Sequence, residues 1–385
     1  MKKLIAWLIF PLIAAGCKEK YLPSATSPST GYLVVEGFIN SGQEPTTITL
    51  SRTIKLADSV NRLFEHNAVV NIESDTHETF PLSENGNGEY VSASLSLNVS
   101  QKYHLTIKTQ NGTEYASDFA TVKTTPPIDS ISWKPENGGI KIYINTHDPQ
   151  NNTRYYHWKY EETWEIHSRY FSTLIYIRDQ NSIPFAVGYR NADQSADTTI
   201  YKCWNTVNST NINLGSSEKL TEDLIYLPLL YIEPGSEKLS VLYSINVRQY
   251  ALSHEAYLFF QKIKKNTEQL GSIFDPQPSD LQGNIHCITN PLETVIGYID
   301  ISEEKVQRKY ISRDELADWD YRTDCFLKTI DNQPDSIRKY GAGSSPTIPF
   351  SVDIRLGISK FYAANSNNCV DCTLRGTNVR PTFWP

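Results

Sequence analysis

The sequence predicts a mainly β protein: an N-terminal immunoglobulin-like β-sandwich followed by a larger β-rich domain with one amphipathic helix. Three observations carry this. Tyr, Thr, Ile and Val, which fit a pleated and half-buried surface, are dense along the chain, with 23 Tyr in 385 residues and aromatics at 11%. Short apolar–polar alternations recur between turn residues from Tyr32 onward. Only the stretch after Ser253 is convincingly spaced as a helix.

Within the sandwich, residues 32–39 form the first strand and Asn40-Ser41-Gly42 a turn, and residues 47–51 alternate as a half-buried strand does. Residues 68–72 and 78–82 follow, and Asn85-Gly86-Asn87-Gly88 supplies turn residues that tolerate positive φ. Tyr90-Val91 opens the next strand, residues 102–107 form another that ends at Asn111-Gly112, and residues 115–122 complete the set. About seven short strands over ~95 residues describe a small antiparallel sandwich, assigned to residues 31–125. The boundary falls at Thr124-Thr125-Pro126-Pro127, where paired prolines make a stiff link.

The larger domain, residues 126–385, has strands expected at 128–133, 139–145, 155–166, 171–177, 239–250 and 294–301. Its helix is capped by Ser253, carries Ala256, Phe259, Phe260 and Ile263 on one face and Lys262, Lys264 and Lys265 near its end, and closes at Gly271.

Ahead of these domains, two lysines precede an apolar run over residues 4–15 that ends in Gly16-Cys17. Basic, then apolar, then small is the order of a signal peptide, and about a dozen apolar residues fall short of the ~20 that span a bilayer. Leu12-Ile13-Ala14-Ala15-Gly16-Cys17 resembles a lipobox, although Ala14 stands where the pattern prefers Leu. Residues 1–16 are therefore expected to be removed and Cys17 to be lipidated, which holds the chain on a membrane without spanning it. Residues 17–30, rich in Ser, Thr and Pro, form the tether. Lys18-Glu19-Lys20 lacks the Asp that would retain a lipoprotein at the inner membrane, and Lys-Glu resembles a surface-export signal of Bacteroidota. The expected location is the outer membrane, facing the cell surface, with a periplasmic face as the alternative. Asp58-Ser59-Val60, Asp129-Ser130-Ile131, Asp197-Thr198-Thr199 and Asp335-Ser336-Ile337 resemble the Asp-Ser/Thr-aliphatic O-glycosylation sequon of that compartment, with Ser59, Ser130, Thr198 and Ser336 as acceptors.

A formal charge of −7 with no concentrated basic run gives no footprint for nucleic acid. With Cys17 committed to lipid, Cys203, Cys287, Cys325, Cys369 and Cys372 remain in an oxidising compartment where disulfides are expected. Five is odd, so at least one thiol is left out. Cys369-Val370-Asp371-Cys372 has the spacing of a redox or half-zinc site, but its loop-like surroundings favour disulfides that tie the tail to the body, for example through Cys325 and Cys203 or Cys287.

No zinc-protease, nucleophile-elbow or phosphate-loop motif is present. His147, His157 and His167 match no metal-ligand spacing, and Glu161, Glu162 and Glu165 do not all face one way on a strand, as a glycosidase pair would require. The turns at 85–89 and 147–152 match no calcium loop. No metal, cofactor or catalytic residue is assigned, and a non-enzymatic role is expected.

Several segments together resemble one family. They are Tyr32-Leu33-Val34-Val35-Glu36-Gly37, Pro126-Pro127-Ile128-Asp129-Ser130-Ile131, Gln249-Tyr250-Ala251-Leu252-Ser253, Gly271-Ser272-Ile273-Phe274-Asp275, Gly283-Asn284-Ile285, Val295-Ile296-Gly297-Tyr298, and the tail from Cys369 to Trp384. In this order they are similar to the Bacteroidota lipoproteins grouped as domain of unknown function 4249. The resemblance implies an accessory to an outer-membrane TonB-dependent receptor or another β-barrel assembly, and it supplies no catalytic residues. The alternative is a surface glycan- or peptide-binding lipoprotein that uses Trp158, Trp164, Trp204 or Trp319 as stacking platforms. A hydrolase comes third and would need a pocket of convergent carboxylates or histidines with shifted pKa.

Overall fold

Strict in–out alternation builds the N-terminal body. In Val69–Ser74 and Lys102–Lys108 every second side chain is buried, and Ile72, Leu105 and Ile107 meet Leu33, Ile48 and Leu50 in one core. The chain is described by a computed structural model over residues 31–54, 62–268, 283–353 and 357–385. The signal, Cys17, the tether, Ser59 and Gly271 lie outside the described residues.

The sheet around this core runs, edge to edge, through Ile285–Cys287, Glu114–Ser117, Lys102–Lys108, Val69–Ser74, Thr79–Glu84, Glu89–Val91, Thr47–Arg52, Leu33–Gly37 and Ile296–Gly297. Both edge strands come from one late segment. Ile285–Cys287 pairs antiparallel with Glu114–Ser117, while Ile296–Gly297 runs parallel to Leu33–Gly37. Ile301 then pairs with Ile39. The sandwich assigned to residues 31–125 therefore also takes in residues 285–302, whose Ile285, Cys287, Val295, Ile299 and Ile301 complete its core. Gly297 permits this closure: its φ is +150°, and a Cβ there would stand 2.3 Å from the Val35 carbonyl oxygen.

The second body is itself a sandwich. A three-stranded antiparallel sheet (Ile128–Glu136, Gly139–Asp148, Asp223–Ile232) faces a five-stranded one. The latter is built on Tyr155–His167, flanked by Lys202–Asn208 and Asn213–Ser216 on one edge and Leu242–Ala251 then Lys305–Ser312 on the other. Ile142, Ile144, Tyr156, Trp158, Ile166, Tyr243, Ile245 and Val247 fill the space between. Trp158 and Gln249 pair their polar groups there. Trp158 Nε1 donates to Gln249 Oε1 at 2.7 Å, and Gln249 Nε2 donates to the Pro126 carbonyl at 2.8 Å.

The expected helix is α1, His254–Glu268, with the Ala256 N–H donating to Ser253 Oγ at 3.1 Å as its cap. It buries Ala256 and Phe259. Phe38 of the first sandwich stacks on Tyr250 at 4.7 Å and on Phe260 of α1 at 5.6 Å, so helix, sheet and sandwich meet at one ring.

A third module follows. Strands Leu327–Asp331, Gly357–Ala364 and Ile348–Asp353 form a sheet in that order, and the ribbon of Leu174–Arg178 and Pro184–Tyr189 lies beside it, with the Thr173 N–H donating to the Phe350 carbonyl at 2.7 Å. Helix α2, Pro334–Gly341, covers the ribbon's inner face. This second helix departs from the expectation of a single one. Eight residues show too little periodicity to read, and the helix is held by Pro334 at its start and by burial of Ile337. Among the described residues no helix is long and apolar enough to cross a membrane.

Candidate functional site

Two disulfides fasten the C-terminal region. Cys203, on the strand beside Tyr155–His167, bonds Cys372, and Cys325 bonds Cys369. The Trp204 and Thr377 backbones exchange two hydrogen bonds of 2.8 Å next to the first bridge. Cys369-Val370-Asp371-Cys372 thus supplies one half of each of two bridges. Cys287 is the remaining thiol, buried in the first sandwich, where burial raises its pKa. Closing the 44-residue separation between Cys325 and Cys369 removes unfolded-chain entropy worth about 4 kcal/mol.

Next to these bridges the ribbon has two unlike faces. Leu174 and Tyr176 point inward to Ile330, Ile337 and Phe361, and Gly341 of α2 packs so close that a Cβ there would meet the Tyr176 ring at 2.8 Å. On the other face Ile175 pairs with Gly188 and Ile177 with Ala186, and the two isoleucines remain 44% and 43% exposed. Phe185, at the bulge, and Ile183, in the turn, are exposed to a similar extent. The turn is rigid, because Asp179 Oδ1 accepts the N–H groups of Asn181 and Ile183, both at 2.9 Å.

At the end of the strand Tyr155–His167 opens a polar cleft of about 550 Å³. Its walls come from the end of Tyr155–His167, from Tyr201, from Ser240 and Val241, and from residues 320–325. Behind His167 sits Glu165, which accepts from His167 Nε2 at 2.6 Å, Lys202 Nζ at 2.8 Å and Trp384 Nε1 at 3.0 Å. Burial would raise the Glu165 pKa, but these donors outweigh it and hold the carboxyl at about 2. Arg169 is exposed at the cleft and its guanidinium has no hydrogen bond or ion pair with a described residue, whereas Arg322 is paired with Asp320 at 2.5 Å.

The other residues singled out from sequence are dispersed. Glu162 is buried with Lys238 Nζ at 2.9 Å and Tyr243 OH at 2.7 Å, and Glu161 pairs with Arg308 at 3.4 Å, so the three carboxylates of this strand share no partner. His147 bonds Asp129 at 2.7 Å, a contact that raises its pKa, while His157 is buried against Phe38 and Phe260 and burial pushes its pKa down to about 3. Among the described residues no three His, Cys, Asp or Glu side chains are grouped to hold a metal ion.

Trp158, Trp164, Trp204 and Trp319 are all less than 8% exposed. Trp158, Trp164 and Trp319 pack into the core of the second body, and Trp204, next to the inward-facing Cys203, is buried on the other face of its strand, so none of the four forms a stacking platform. Of the glycosylation candidates, Thr198 is exposed, Ser130 and Ser336 are half-buried, and the Asp of the 197–199 pattern caps a short turn by accepting the Thr199 N–H at 3.0 Å. Sequence reasoning missed the cleft, whose lining comes from four separated segments without a common motif. It read residues 171–177 as a strand without any signal that Ile175 and Ile177 face outward.

No curated protein matches the chain. The family described as domain of unknown function (DUF4249) matches residues 19–308, a span that holds the first sandwich, α1, the exposed ribbon and the second sandwich up to the middle of its strand Lys305–Ser312. The module after residue 308, with Asp320, Arg322 and three of the four bridged cysteines, lies beyond the match. Across about three quarters of its length, the chain therefore belongs to the DUF4249 family.

Proposed function

We propose that the protein is a lipid-anchored outer-membrane accessory that binds a partner protein, a TonB-dependent transporter or another β-barrel assembly, through the outer face of the 174–189 ribbon. The observation that carries this reading is the row of Ile175, Ile177, Ile183 and Phe185, each between 38% and 44% exposed on one two-stranded element. A contiguous apolar face on a soluble body marks an interaction surface. A partner that covers the remaining area gains about 1 kcal/mol per side chain, enough together for a specific contact. The lipobox-like sequence at Cys17 supports the anchor, and a tether of 14 residues, 17–30, keeps the ribbon within reach of proteins in the same membrane. The reading assigns no catalytic step.

Photo-crosslinking in cells tests the contact. A photoreactive residue at position 177 is expected to capture an outer-membrane β-barrel protein, while the same group at the exposed Thr198 is not. Absence of any adduct at 177, or the same adducts at both positions, overturns the assignment of this face.

A further inference from the structure

We infer that the polar cleft at the end of Tyr155–His167 binds an acidic saccharide through its carboxylate, with Arg169 as the recognising cation. Its volume of about 550 Å³ is that of a small-molecule site. The charges around it are unequally committed. Glu165 is taken up by His167 and Lys202, and Asp320 by Arg322, so that these carboxylates are already committed. Arg169 is the exception: it lines the cleft, exposed, with no acceptor for its guanidinium among the described residues. A planar guanidinium takes a carboxylate through two parallel hydrogen bonds.

The rest of the lining selects the body of the ligand. Tyr201 and Tyr321 are half-buried rings that present flat surface to a sugar ring, and the Ser240 and Thr323 hydroxyls donate to and accept from sugar hydroxyls. Val241 is the only aliphatic side chain in the lining, which leaves little to receive an apolar peptide side chain. Phe171 stacks on Tyr201 with ring centroids 3.5 Å apart and steadies that wall, and the Cys325–Cys369 bridge fixes the opposite one. A wall set before the ligand arrives reduces the ordering cost of binding. This site is separate from the apolar face of Ile175 and Ile177.

Isothermal titration calorimetry on the intact protein, solubilised in mild detergent, tests the inference. The probes are trigalacturonate and a hyaluronan tetrasaccharide, with a neutral galactose trisaccharide and the dipeptide Gly-Tyr as comparisons. Saturable binding of an acidic saccharide is expected, at least tenfold tighter than the neutral trisaccharide. Arg169→Ala should weaken it tenfold or more, and Arg169→Lys should recover part of the loss. Ile175→Asp with Ile177→Asp should leave it unchanged, which separates this site from the docking face. Arg169 has no partner to lose, so the melting temperature of Arg169→Ala should match that of the parent and exclude misfolding. The inference is overturned by lack of saturable heat with both acidic probes, by equal affinity for the neutral trisaccharide, by an unchanged affinity in Arg169→Ala, or by preference for the dipeptide.

Discussion

Asn284 and Ile299 exchange two hydrogen bonds inside the segment that closes the first sandwich: Asn284 Nδ2 donates to the Ile299 carbonyl at 2.8 Å, and the Ile299 N–H donates to Asn284 Oδ1 at 2.9 Å. Both residues are buried, so the pair acts where water cannot replace it. It pins together the two strands, Ile285–Cys287 and Ile296–Gly297, that occupy opposite ends of the sheet. Asn284→Ala leaves a buried donor and acceptor unpaired and should cost about 2–4 kcal/mol, read as a lower urea midpoint. A midpoint within experimental error of the parent would show that the sandwich does not depend on this closure.

The bridges make a covalent prediction. Non-reducing peptide mapping should recover Cys203 joined to Cys372 and Cys325 to Cys369. Cys287, buried and with its pKa raised, should resist alkylation in the native protein and react only after unfolding. Cys325→Ser together with Cys369→Ser should lower stability by about 2–5 kcal/mol. Any other connectivity would displace the C-terminal module from the cleft wall.

How far the sequence revealed this architecture depends on the range of the interaction. Local signals were readable: residues 102–107 alternate as expected, and Ser253 caps α1. The closing segment was not. Its strands are three, two and two residues long and pair with partners more than 150 positions away, beyond any local periodicity. The same limit hid the cleft, since Arg169, Tyr201, Ser240 and Tyr321 converge only through the strand pairing of the second body. Burial of the tryptophans was equally hidden, because an indole suits a core and a binding platform alike.

His157 gives stability a pH dependence. Burial holds its pKa at about 3 in the folded chain, below the unfolded value near 6.5, and its Nδ1 has no partner among the described residues. Between these values the unfolded chain takes up a proton that the folded one refuses. The contribution is therefore complete above pH 6.5 and is lost as pH falls toward 3, by about 1.4 kcal/mol per pH unit. Glu165 acts in a lower window, losing its contribution as pH falls from 4.5 through about 2. His157→Phe should flatten the stability profile between pH 6.5 and 4.5. An identical slope in variant and parent would remove His157 as its source.

The two faces of the ribbon should separate on substitution. Leu174→Ala opens a cavity beside Ile330 and Phe361 and should cost about 2–4 kcal/mol. Ile175→Asp with Ile177→Asp alters only exposed positions and should change stability by less than ~1 kcal/mol. Thermal melts of both variants check this, and a large loss in the double variant would mean that the outer face is structural.

Recovery of the tagged native protein from outer membranes in gentle detergent, followed by mass spectrometry, tests the central claim most directly. The account predicts a TonB-dependent receptor or another outer-membrane β-barrel in stoichiometric amount, lost when Ile175 and Ile177 are both changed to Asp. Recovery of the protein alone would contradict it.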